Sequence, residues 1–243
     1  MNCKLTIKTL TIFIYFFSTS AFSEKNFPFK EGEVFNYTAK FNFIPAGTAS
    51  LKVISIDSIN NIESYHIQYS ARTGSLGDRL FKIRDQVDSW IDAKGLNLHR
   101  QKKSVRQGSY RKTTQTELFY DKGLAIVNND TIQVRGIIFD PYSLFYYLRT
   151  VPLVIGETLN MITFDNGSFT NFQLRVDKSE LLTVPAGTFN CFVVNPFKNG
   201  SSLLKNEGDM TIWFSDDKRR IPIQILVKIK YGTMKLILKS FSL

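Results

Sequence analysis

Hydrophobic and polar positions alternate with a period of two along most of this chain. Phe35, Tyr37, Ala39, Phe41 and Phe43 interleave with Val34, Asn36, Thr38, Lys40 and Asn42. That pattern fits an extended strand with one aromatic face turned inward. Similar runs follow at 48–56, at 63–72 and at 83–93. The segments 96–107 and 110–120 read as a long hairpin turning at Gly108-Ser109. A brief pair at 124–128 and 131–135 turns at Asn129-Asp130. After residue 150 the style repeats. A hairpin at 157–164 and 169–177 turns through Asp165-Asn166-Gly167, and strands follow at 180–184, 188–197, 209–215, 221–230 and 233–241. The pattern predicts a mainly β protein. Its antiparallel meander sheets would form a curved half-barrel or a sandwich, with one short central helix.

That helix is expected at 140–149. Asp140 can cap the free N–H groups of the first turn, and Pro141 suits the first helical position. Pro141, Leu144, Phe145 and Leu148 recur at helical spacing and form one apolar stripe. Tyr146 and Tyr147 point away from it, so the helix is apolar nearly all round and should be buried between two surfaces. Pro152 biases Val151 away from helix and ends the run. A loop with a helical turn is expected at 73–82.

The tetrapeptide Pro-Ala-Gly-Thr occurs twice, at 45–48 and at 185–188. Both copies read as tight reversals whose glycines, Gly47 and Gly187, take positive backbone angles. The helix thus separates two halves, 24–139 and 152–243, of what reads as one continuous domain at 24–243.

The first 23 residues change the picture. Lys4 and Lys8 precede a short apolar run at 10–17, and Ala21 and Ser23 are the small residues that signal peptidase requires. The run is too short to span a bilayer, which takes about 20 residues. Residues 1–23 read as a secretory signal cut after Ser23, which points to the periplasm. Cys3 precedes the apolar run, so it is no lipid-attachment cysteine. Past the signal the one cysteine is Cys191, whose position beside Phe189 and Val193 on one strand face reads as core packing. Without Lys4 and Lys8 the formal charge falls from +10 to about +8, which favours anionic partners or surfaces.

Candidate chemistry is sparse. His66 and His99 are isolated and give no metal-ligand spacing. Asp85, Asp88 and Asp92 are the best carboxylate cluster, but alternation splits Asp85 from the other two. Gly74-Ser75-Leu76-Gly77 lacks the spacing of a nucleophile elbow, and no phosphate-cradling glycine loop occurs. No metal, cofactor or catalytic residue is expected. Cations instead concentrate on one hairpin, at Arg100, Lys102, Lys103, Arg106, Arg111 and Lys112, and on a late strand at Lys228 and Lys230. They read as solvated faces or edge protection, or as contacts to an anionic surface. Nucleic acid is disfavoured by export.

Several short motifs in a fixed order carry a family resemblance. They are Gly32-Glu33-x-Phe35-x-Tyr37, Ile44-Pro45-Ala46-Gly47, Arg84-Asp85-x-x-Asp88-Ser89, the 140–149 helix and Val184-Pro185-Ala186-Gly187-Thr188-Phe189. Trp213-Phe214-Ser215 through Arg220-Ile221-Pro222-Ile223 completes the set. In these the chain resembles the exported bacterial proteins known as domain of unknown function 3108. The resemblance implies an antiparallel β-rich envelope protein and supplies no catalytic residues.

The leading expectation is a monomeric, non-enzymatic envelope protein. It would bind a lipid or other amphipathic small molecule on a curved sheet, with Trp90, Phe145, Tyr146, Trp213 and Arg149 as ligand contacts. Arg100, Lys102, Lys103, Arg106, Lys228 and Lys230 are the candidate contacts to an anionic surface. One alternative is an envelope assembly protein that binds another protein through a sheet edge. A hydrolase with a dispersed site at Asp85 and Asp88 ranks third. The signal reading predicts that protein recovered after export begins at Glu24. N-terminal sequencing and intact mass test this, and a chain retaining 1–23 in the membrane fraction contradicts it.

Overall fold

The structure is a computed structural model that describes residues 27–198, 201–202, 209–230 and 232–243. The predicted signal lies outside the described residues. Within the described residues the period-two segments become fifteen strands. They are β1 (Val34–Phe41), β2 (Ile44–Ile59), β3 (Ile62–Thr73), β4 (Arg84–Asp92), β5 (Leu98–Gln107), β6 (Tyr110–Phe119), β7 (Leu124–Val127) and β8 (Asp130–Gln133). The second run is β9 (Thr158–Asp165), β10 (Ser168–Val184), β11 (Gly187–Lys198), β12 (Ser201–Ser202), β13 (Met210–Ser215), β14 (Pro222–Ile229) and β15 (Gly232–Ser242). The helices are α1 (Ser75–Leu80) and α2 (Leu144–Leu148).

All these strands belong to one sheet in the order β8-β7-β6-β5-β4-β3-β2-β1-β15-β14-β13-β11-β10-β9, with β12 beside β11. Every ladder is antiparallel, and the β1–β15 pair joins the two runs. The fold is thus an open antiparallel sheet, and of the two expected architectures it takes the curved one. Its far ends curl toward each other. Lys103 of β5 donates to both carboxylate oxygens of Asp165 on β9, at 2.9 and 2.6 Å, although these strands are far apart in the sheet. Residues Ile138 and Phe139 span the remaining gap. The Ile138 carbonyl accepts from the Leu98 amide on β5, and the Phe139 carbonyl accepts from the Phe164 amide on β9, both at 2.8 Å.

The register defines two ends. Hairpin tips at 42–43, 108–109 and 166–167 share an upper end with the paired residues Ile229 and Gly232 of β14 and β15. Glu33 and the turns at 60–61, 120–123, 185–186 and 216–220 lie at the lower end.

Three expectations need correction, the last of them the length of the central helix. The first Pro-Ala-Gly-Thr is not the reversal. The chain turns one step earlier, at Asn42-Phe43, where Asn42 takes φ 52°, and Pro45 to Thr48 already lie in β2. Gly47 has no positive φ. It is glycine because a Cβ there would sit 2.1 Å from the Arg72 carbonyl oxygen on β3, a close approach that no other side chain permits. The second copy does turn, at Pro185-Ala186, and Gly187 has φ 137°. The separate strands expected at 169–177 and 180–184 are one strand, β10, whose irregularity is a register shift between Val176 and Lys178.

The central helix is shorter than expected, because residues 141–143 form turns and only 144–148 are α-helical. Asp140 caps the turn ahead of it, and the helix itself starts after Ser143 with no side-chain cap bond. Oδ1 of Asp140 accepts from the amides of Tyr142 at 2.8 Å and Ser143 at 3.1 Å. Five residues cannot hold a helix alone in water, so packing holds it. Leu144, Tyr146 and Leu148 are buried, and the two leucines contribute about 1.5–3 kcal/mol each by area.

The lower end of this segment is fixed by Arg149. Its Nη1 and Nη2 donate to Glu33 Oε1 and Oε2 at 2.5 and 2.8 Å. Nη2 also donates to the Pro28 carbonyl at 2.7 Å, and Nε to the Arg219 carbonyl at 2.9 Å. The guanidinium lies against the rings of Phe29, Phe35 and Tyr146 at 5.3, 5.2 and 5.5 Å. Both side chains are 1% exposed. Removing one member of such a pair leaves a buried charge without compensation. We therefore expect Arg149→Met to lose about 3–5 kcal/mol of stability in urea unfolding. The double variant Glu33→Leu, Arg149→Met should recover part of that loss. An Arg149→Met midpoint matching the wild type would contradict the role given to this pair.

Candidate ligand cavity

Below the upper end, the curled sheet faces the 140–149 segment across two adjoining cavities. The first has a volume of about 300 Å³ and lies between Pro141, Leu144, Phe145 and Leu148 on one side and Phe172, Leu174, Pro196 and Ile212 on the other. This is the apolar stripe expected from sequence, and all four of its residues line the space. Thr163, Asp165 and Thr170 give the cavity one polar end, where Asp165 carries its ion pair to Lys103.

The second cavity, about 260 Å³, is walled by Tyr37, Leu51 and Tyr69 from β1–β3 and by Ile225, Val227, Met234 and Leu236 from β14 and β15. Pro141, Phe145 and Met210 line both spaces. Phe145 is half-buried and stands between the cavities. Alternation explains these walls. On β10, Phe172 and Leu174 share one parity and face inward, while Arg175 and Asp177 beyond them have the other parity, face water and pair with each other.

The polar groups near the cavities are neutral or paired. Tyr37 donates from its hydroxyl to the Pro222 carbonyl at 2.8 Å. Tyr69 and Tyr142 stack with centroids 4.7 Å apart. Burial pushes the Tyr69 phenol up to about 12 and moves Tyr37 and Tyr142 in the same direction. No charged phenolate forms near neutral pH, which suits an apolar occupant. Nζ of Lys103 sits 5.9 Å from the Tyr142 ring centre.

The structure separates the candidate contacts. Phe145 lines both cavities. Tyr146 and Arg149 lie behind it, packed around Glu33. Trp90 is on the other face of the sheet, stacked on His66 with centroids 4.4 Å apart and donating to Asp57 at 2.7 Å. Trp213 likewise donates to Glu180 at 2.7 Å. Neither tryptophan lines a cavity. Among the cations, Lys103 points inward, while Lys102 lies over the Trp90 ring at 5.8 Å and Arg100 bonds Glu117 at 2.7 Å on the outer face. Arg106, Lys228 and Lys230 are exposed. Sequence reasoning missed the inner walls, Leu174, Ile212, Ile225 and Leu236. Their alternation marked them as inward but not as facing open space.

The carboxylate alternative finds Asp88 bonded by His66 at 2.9 Å, Gln68 at 2.9 Å and Gln86 at 2.7 Å. Burial alone would raise its pKa, but these donors hold it below the usual range. Asp85 accepts from the Arg106 amide and the Gln107 side chain. Asp88 is therefore no raised carboxylic acid of the kind a general acid needs. Among the described residues no His, Cys, Asp and Glu group could hold a metal ion. Cys191 is buried, and desolvation pushes its thiol up to about 12, so it is a packing residue.

A family model described as "Protein of unknown function (DUF3108)" matches residues 36–239. The chain belongs to this family. No curated protein matches the chain. Among solved structures, the DUF3108 chain is similar to a beta-barrel-like protein of domain of unknown function DUF1849 from Brucella abortus. That likeness has a TM-score of 0.57 at 11% identity and covers 87% of this chain and 96% of that one. A chain from Parabacteroides distasonis, described provisionally as a lipoprotein, gives a TM-score of 0.38 at 13% identity over 89% and 97% of the two chains. An exported protein of Bacteroides fragilis, also provisionally described, gives 0.34 at 12% over 89% and 98%. Of these three, the first is close enough to bear on the fold, and it agrees with the barrel-like curl of the DUF3108 sheet.

Asp140, which anchors the cavity segment, supplies a pH test. Burial raises its pKa from 3.8, against the opposing bonds from Ser143 and the Tyr142 and Ser143 amides. A carboxyl whose folded pKa is raised favours the fold below its unfolded pKa, and that advantage is lost as pH rises through the folded value. Asp140→Asn keeps an oxygen for both amides but does not ionise. It should gain stability relative to the wild type as pH rises from about 4 toward neutrality. Thermal melts across that range measure the difference. A constant gap, or one that moves the other way, contradicts the raised value.

Proposed function

We propose that this DUF3108 protein is an exported periplasmic protein that binds an apolar or amphipathic molecule without acting on it chemically. One observation carries the reading. The concave side holds two adjoining cavities whose walls are almost wholly apolar, with polar residues gathered at one end of the first. Spaces near 300 Å³ are at the lower limit of small-molecule sites. An acyl chain laid beside Phe145 would gain about 25 cal/mol for each Å² removed from water. Thr163, Thr170 and the Lys103–Asp165 pair supply a polar end for a head group. Export rests on the pattern at 1–23. Among the described residues no helix is long and apolar enough to cross a membrane.

Native mass spectrometry of protein purified gently after export, followed by organic extraction, tests the reading. An acyl-containing species should be bound. Phe145→Asp, which places a charge between the cavities, should weaken its retention about tenfold or more, while Phe145→Leu should keep it. A ligand-free mass, together with no binding to any of a panel of acyl lipids at low salt, overturns the proposal.

A further inference from the structure

The upper end carries a feature that ligand binding leaves unused. Phe43 at the β1–β2 tip is 93% exposed, and Leu80 in α1 is 74% exposed. Ile44, Leu76, Phe81 and Tyr110 beside them are exposed as well. Large apolar side chains scattered singly over a surface need no explanation. These are not scattered, because backbone contacts tie their elements into one rim.

The Gly74 amide donates to the Ala46 carbonyl at 3.0 Å. A Cβ on Gly77 would fall 2.2 Å from the same oxygen, so α1 is pressed against the start of β2. The Gly108 amide donates to the Lys82 carbonyl at 2.8 Å, and the Phe81 ring abuts Gly108. The Asn42 amide donates to the Thr233 carbonyl at 2.7 Å. The rim therefore runs from the β14–β15 hairpin through the β1–β2 tip and α1 to the β5–β6 tip. Met234, which walls the second cavity, pairs with Phe41 on this rim.

Cations outnumber acids on this rim. Arg79, Lys82, Arg106 and Lys112 are exposed and take part in none of the ion pairs formed among the described residues. Of the nearby acids, Asp209 is exposed beside Lys228, and two others are engaged. Asp78 is paired with Arg84 at 2.7 Å, and Asp85 accepts from the Arg106 amide and from Gln107. A protruding aromatic and aliphatic crest flanked by these cations matches the two-part attraction of an anionic lipid surface. Apolar side chains enter the boundary region, and basic residues meet the head groups, each adding to the binding.

We infer that the upper end is a docking surface for an anionic lipid bilayer, seating the mouth of the second cavity against the membrane. Docking draws on residues outside both cavities, so it stands or falls separately from ligand binding.

The test is flotation of the exported, processed protein with vesicles of phosphatidylcholine alone or mixed with phosphatidylglycerol. The wild type should float with the mixed vesicles at low salt, and added salt should release it. Phe43→Ser and Leu80→Ser remove side chains that the core does not use, so circular dichroism should be unchanged. Each should weaken partitioning about tenfold, and Lys82→Glu with Lys112→Glu should also weaken it. Leu181→Ser, which alters an exposed residue near the lower end, should have no effect. All variants share one N terminus, so the comparison isolates the rim. Phe145→Asp should still float. The inference is overturned by equal flotation of wild type and Phe43→Ser, by no binding to the mixed vesicles, or by a dimer in sedimentation equilibrium that Phe43→Ser dissolves.

Discussion

The structure depends on one buried ion pair. Arg149 and Glu33 are distant in sequence, and they meet where the sheet's first strand begins. The guanidinium also holds the carbonyls of Pro28 and Arg219, so one side chain ties the N-terminal lead, β1, the β13–β14 connection and the helix together. Two charges out of water are expensive, and a pair like this need not stabilise a fold beyond what a well-packed apolar pair would give. What it does give is position. The helix has too few residues to persist alone, and its place inside the sheet is set by Arg149 below and by Asp140 with Phe139 above. Burial pushes the Glu33 carboxyl up, and the bidentate bond from Arg149 opposes this.

With both ends of the segment fixed, the sheet cannot close down on Phe145. Strands β1 to β3 with β14 and β15 approach one side of it, and β9, β10, β11 and β13 approach the other. The space left between them is apolar because the strands are alternating and their inward residues are large. Apolar walls held apart lose packing contacts with one another, and under the binding reading proposed above an apolar guest would restore them. The same openness leaves the hairpin tips of the upper end in water, with cations among them.

Much of this was legible in the sequence. Alternation located nearly every strand, Asn166-Gly167 marked its hairpin, and the stripe from Pro141 to Leu148 identified the residues that line the first cavity. The ordered motifs identified the family. Other features were not legible, for physical reasons. Gly47 looked like a turn glycine, but its need is steric and comes from β3, which local sequence does not report. Lys103 looked like its neighbours Lys102 and Arg106, yet strand parity turns it inward to Asp165 on a strand that only the curl brings near. Trp90 and Trp213 looked like ligand contacts, and each instead lies on the outer face with its indole N–H on a carboxylate. Periodicity tells which way a side chain points, and the distance to the opposite wall is set by the whole sheet.

The central claim is that an acyl chain enters the space beside Phe145. Methyl-resolved NMR with a spin-labelled fatty acid tests it most directly. The account predicts selective broadening of Leu144, Leu174, Ile212, Ile225 and Leu236, with Ile91 and Leu118 in the closed part of the core unaffected. Broadening confined to the exposed Leu76 and Leu80, or none at all, would contradict it.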